Sequence, residues 1–265
     1  MFTELFRQEA LKLLTQRYPY VLLGLVLVLE TTYILHTAST PPETTLDRVS
    51  PVQLWAQGVE LGLRFGVYVL LVVGSMAISR EFSLGTIKTF LVLPVSRRMW
   101  VGAKLAGIIS LGLLITLIIT GLGLALVAAF SGWGPVVLEG IIKYPQEEVW
   151  QAVALATGLT VVFLLPVCAL ALVVGSYFHS SGAAVGVTLL LWIVLETLSG
   201  MLGSGAKWLF PHYLYEPMNQ ISKMGKAMVF QWDDVAGPGL VVSGASFLVL
   251  AGILIARLDK MDITD

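Results

Sequence analysis

Charge and cysteine are scarce in this sequence. Of its 265 residues only 12% are charged, and the single cysteine, Cys168, lies inside an apolar run. One thiol makes neither an internal disulfide framework nor a cysteine-based metal cluster. The three histidines, His36, His179 and His212, are far apart along the chain. There is no G-x-x-x-x-G-K-[ST] phosphate loop, no H-E-x-x-H and no G-x-S-x-G, so the chain has no evident machinery for hydrolysing ATP or cutting a bond. No cofactor and no nucleic-acid partner are expected. The N-terminal stretch, with Glu4, Arg7, Lys12 and Arg17 scattered through it, lacks the apolar core and small-residue cleavage site of a secretory signal.

What the sequence has instead is oil. Apolar residues make up 57% of the chain and the mean hydropathy is +0.86, well outside the norms of soluble proteins. The expected class is an all-α integral membrane protein in one transmembrane domain, because backbone groups in lipid must be satisfied within helices. A bilayer core about 30 Å thick needs roughly 20 apolar residues as helix. On that measure six spans are expected, at 18–35, 59–78, 101–128, 152–174, 183–201 and 240–256. "GSYFHSSG" at 175–182 divides the fourth from the fifth. Residues 1–17, apolar at Phe2, Leu5, Phe6, Leu13 and Leu14, read as an amphipathic helix lying along the membrane surface. Residues 203–236 form the largest outer segment, with an aromatic cluster at Trp208, Phe210, Tyr213 and Tyr215.

Six spans place both termini on one side, and lysine and arginine indicate which. Arg7, Lys12, Arg17, Arg80, Lys88, Arg97, Arg98, Lys104, Arg257 and Lys260 fall on the side of the termini, against Arg48, Arg64, Lys143, Lys207, Lys223 and Lys226 opposite. The excess makes the first side cytoplasmic and the expected location the cell (inner) membrane.

The main positive signal is "SREFSLGTIKTFLVLPVSRRMW" at 79–100, a polar and cationic island between two apolar runs. Pro94 disfavours helix at Leu93, so a short helix over about 83–93 is expected, with Ser83 as its cap and a new start at Ser96–Arg98. On physical grounds the segment is either a solvated basic loop that fixes topology or a docking surface for a soluble partner.

The same residues resemble the signature of exporter-type (type-2) ABC transporter permeases. That pattern maps onto Glu81, Gly85, Thr86, Leu91, Pro94, Val95, Ser96, Arg97 and Lys104, and the resemblance extends as topology over the whole chain. It implies that the island, Lys88 included, is a cytoplasmic coupling helix seated on a separate ATPase subunit that binds ATP and magnesium. It further implies that Glu81 anchors helix ends through ion pairs, and that a transporter holds two ATPases and two permease copies, as homodimer or heterodimer.

Other residues carry weaker signals. Gly58, Gly62 and Gly66 form a small-residue ridge that suits either a subunit interface or packing within the chain. Glu60 and Arg64 stand four apart with the acid first, the favourable order for a helical ion pair. Glu196 lies inside the fifth span, where a carboxylate is costly and suggests function. It could couple an ion gradient in a secondary carrier, or sit in a wet vestibule beside Lys207 or Arg64. Met218, Met224 and Met228, near His212, suit either a soft metal such as Cu(I) or an amphipathic helix face. A non-transporting membrane scaffold is the third alternative. A pathway of Leu, Val, Gly and Phe leans toward hydrophobic drugs, lipids or peptides as cargo.

Overall fold

A computed structural model describes residues 1–40, 49–85, 96–138 and 140–259. The N-terminal helix α1 (Phe2–Thr15) is followed by α2 (Tyr18–Ser39), α3 (Pro51–Ser83) and α4 (Arg97–Phe130). A small antiparallel hairpin, β1 (Val136–Leu138) and β2 (Ile141–Tyr144), leads into α5 (Gln146–Phe163) and α6 (Leu165–Gly175). Then come α7 (Ser181–Met201), a 3-10 turn (Gly203–Trp208), short helices α8 (Phe210–Leu214) and α9 (Glu216–Gly225), and α10 (Ala236–Asp259). Among the described residues, six helical units, with α5 and α6 counted together, are long and apolar enough to cross a membrane.

Local chemistry sets the helix boundaries. Ser50 caps α3, its hydroxyl accepting from the Gln53 N–H at 3.1 Å, with Pro51 at the first helical position. Ser96 starts α4 in the same way by accepting from Met99 at 3.3 Å. The fourth crossing, read from the sequence as one uninterrupted span, breaks at Leu164. Pro166 has no N–H to donate into the preceding turn, which explains the interruption. Within the apolar helices Thr116, Thr120, Thr160 and Thr188 return their hydroxyls to the carbonyl four residues back, at 2.7–2.9 Å, so none is left unsatisfied in lipid.

Helix α3 is the hub, packing against α2, α4, α6, α7 and α9. Small residues make its contacts close. A Cβ on Gly74 would stand 2.6 Å from the Cβ of Ala171 on α6, and Gly175 abuts the Ser75 backbone. The Gly58, Gly62 and Gly66 ridge is filled from within the chain. A Cβ at Gly58 would lie 2.7 Å from Ile34, and one at Gly66 would lie 3.1 Å from Ile119. By contrast α2, α7 and α10 turn Val28, Leu190 and Leu248 outward, the apolar surface a bilayer covers.

The outer segment clamps the start of α3. The Ser50 hydroxyl donates to the Gly225 carbonyl at 2.6 Å, and Met218, Ile221 and Met224 are fully buried. Met228 is exposed, so the three thioethers do not share one environment. The strands β1 and β2 have no counterpart in the sequence reading. Of the 83–93 segment, residues 86–93 lie outside the described residues. Ser83 itself does not start a helix: it is the last residue of α3, and its hydroxyl donates back to the Arg80 carbonyl at 2.9 Å.

Candidate functional site

Two polar clusters and one isolated carboxyl interrupt the apolar bundle. The first cluster lies where α1, α3 and α4 meet, at the base of the 84–95 segment. Lys104 on α4 is 1% exposed. Its ammonium donates to Glu81 Oε1 at 2.9 Å, to Glu9 Oε2 at 3.1 Å and to the Ala77 carbonyl at 3.0 Å. It also lies 4.9 Å from the centroid of the Trp100 ring. Lys12 on α1 donates to Glu81 Oε1 and stands 3.8 Å from Glu9 Oε1. Two cations thus balance two carboxylates, and an ammonium has the three donors this arrangement uses. Buried charges persist only when compensated in this way. Helix α1 therefore turns Glu9 and Leu13 inward, while Glu4, Arg7 and Lys12 stay exposed.

The far end of the segment is tied as well. The Arg97 guanidinium donates to the Leu258 and Asp259 carbonyls at 3.0 and 2.9 Å, a cation at the C-terminus of α10 where the helix dipole favours it. Arg98 adds an ion pair to Asp259 at 3.4 Å. Gly85 takes a φ of +67°, the left-handed conformation that ends α3 without Cβ strain. Residues 81–85 and 96–98 thus stand in two anchored ends. Thr86, Lys88, Leu91, Pro94 and Val95 lie outside the described residues.

The second cluster lies in the N-terminal half of α3, several turns from Glu81. Arg64 bonds Glu60 Oε1 through Nε at 3.2 Å and Nη2 at 2.9 Å, and reaches Glu196 Oε1 on α7 at 3.2 Å. The Tyr68 hydroxyl donates to Glu196 Oε2 at 3.5 Å, and the Tyr215 ring lies under the guanidinium at 4.4 Å. Of the two partners weighed for Glu196, Lys207 and Arg64, the geometry selects Arg64. The Glu196 side chain is 26% exposed and charge-compensated, a tie between α3 and α7.

The carboxyl that sequence reasoning passed over is Glu30. It falls within the expected first span, 18–35, which the structure extends as α2 to Ser39. Glu30 is 0% exposed, and neither carboxyl oxygen has a hydrogen-bond partner. Among the described residues no group of His, Cys, Asp and Glu is arranged to hold a metal ion.

Together these features define a class: a multi-pass helical membrane protein in which the residues on either side of 86–95 are fastened to the surrounding helices. Comparison with known families gives the rest. A model described as "ABC-2 family transporter protein" matches residues 5–195, well over half of the chain. The chain belongs to that family and is a membrane subunit of an ABC transporter. No curated protein matches it.

Proposed function

We propose that this chain is the permease half of an ATP-driven exporter in the cell membrane, with both termini cytoplasmic and a separate ATPase subunit docking on residues 83–95. Two permease copies, identical or related, would line a pathway, and two ATPases would bind ATP and magnesium. The observation that carries the reading is the double anchorage of the segment. Glu81 holds one end to α1 and α4, and Arg97 holds the other to the last turn of α10. A push transmitted through this segment would therefore act on four helices together, α1, α3, α4 and α10. ATP binding would then bias the bundle between two arrangements through a differential contact at this loop.

The experiment is reconstitution of the chain with its ATPase in vesicles, carrying Gly85→Val or Pro94→Ala. Stimulation of ATP hydrolysis and transport should both fall while the permease stays folded and monodisperse. Transport at the parental rate in both variants would count decisively against docking at this segment.

A further inference from the structure

Glu30 is the one buried carboxyl among the described residues that neither cluster uses. By helical rise it sits about 18 Å from the start of α2 and about 14 Å from its end, inside the apolar layer. Its surroundings are shaped to receive it. A Cβ on Gly123 of α4 would fall 2.8 Å from Oε1, and one on Gly62 of α3 would fall 3.2 Å from Oε2. Two glycines from two helices thus leave the space the carboxyl occupies, walled by Val59, Trp55 and Ile119.

No charge meets it there. From α3 it faces Trp55, Val59 and Gly62, and from α4 Ile119 and Gly123, none of which titrates. The charged residues nearby on α3, Glu60 and Arg64, are engaged with each other and with Glu196. On its own helix Tyr33 gives its hydroxyl to Gln57 at 3.2 Å. The Trp55 indole N–H is taken by the Thr120 carbonyl at 3.2 Å. An ionised carboxylate with no donor and no counter-charge in an apolar cleft is far costlier than its neutral acid.

We propose that Glu30 is an intramembrane proton site, loaded when α2 is closed against Gly62 and Gly123 and emptied when α2 withdraws. In water a glutamate is ionised at neutral pH, so separation that wets the cleft releases the proton. By linkage, proton binding and closure of α2 favour each other equally. This site goes beyond the ATP-driven reading and does not rest on it.

The test uses the full-length permease alone in lipid nanodiscs, without any ATPase, so its failure leaves the ATP-driven reading untouched. Infrared spectra at neutral pH should contain the carbonyl band of a protonated carboxylic acid. Glu30→Gln should abolish that band, and Glu30→Asp, which shortens the side chain, should shift it. An absent band, or one unmoved by both variants, overturns the proposal. Loss of the band on replacing choline chloride by sodium chloride at constant pH also overturns it, in favour of a metal-cation site. Raising the pH should lengthen the distance between spin labels at Val28→Cys on α2 and Phe65→Cys on α3. The same labels in the Glu30→Gln background should not move; equal movement in both refutes the coupling.

Discussion

Replacing Lys104 by Met removes one cation from a buried set of two cations and two carboxylates. Lys104 stands 2.9 Å from Glu81 and 3.1 Å from Glu9. At an effective dielectric constant of about 20, unit charges at such distances attract by about 5–6 kcal/mol per pair. Desolvation offsets much of that, and the measured cost of removing one partner from a buried pair is about 3–5 kcal/mol. Lys12, 44% exposed, still faces both carboxylates, so the expected loss lies at the lower end, about 3 kcal/mol. Reversible unfolding in bicelles, followed by the tryptophan fluorescence, measures it. The informative control is Lys104→Met with Glu81→Gln, which leaves Lys12 against Glu9 and restores balance. That double variant should regain most of the lost stability. A single-variant loss below about 1 kcal/mol, or a double variant as unstable as the single, would refute the claim that charge balance holds α1, α3 and α4 together.

Further outcomes follow from the same geometry. Gly58→Val should destabilise by about 1–3 kcal/mol through overpacking against Ile34, which a Cβ would approach to 2.7 Å. Gly186→Ala, with nothing within 4 Å, should be neutral or stabilise by up to about 1 kcal/mol from helix propensity; thermal unfolding compares the two. Arg97→Ala should remove charge-assisted bonds worth about 1.5–3 kcal/mol, and amide exchange should quicken in the last turn of α10. Glu196→Gln should cost less than about 1 kcal/mol, as for exposed ion pairs, and leave ATP-driven transport intact; its abolition would revive the carrier reading.

How much of this was legible in the sequence depended on separation along the chain. Glu60 and Arg64 could be paired from the sequence because four residues bring them to one helical face. Lys104 meets Glu9 and Glu81 across separations of 95 and 23 residues, and no local rule points one at the other. Helix extents suffered from reading hydropathy alone. The first turns of α3, with Gln53 and Gln57, are polar enough to look like loop, yet Ser50 and Pro51 begin the helix there. The same habit shortened the first span and left Glu30 at an apparent edge. Its two glycine neighbours belong to other helices, so its burial is a tertiary fact. The break at Leu164 was within reach of the sequence, because Pro166 marks it.

The central position of α3 also bears on how the chain is made. Synthesis runs from the N-terminus, so α3 enters the bilayer before α6, α7 and α9 exist. Its contacts with α2 and α4 can form early, but the surface that receives Ala171 and Gly175 and the guanidinium that awaits Glu196 stay unmatched until the second half has been translated. A nascent chain halted after α4 would hold Arg64 against Glu60 alone and would expose an open seam of small residues on α3. Truncations that end before residue 175 should accordingly be cleared from the membrane rather than accumulate as stable half-bundles.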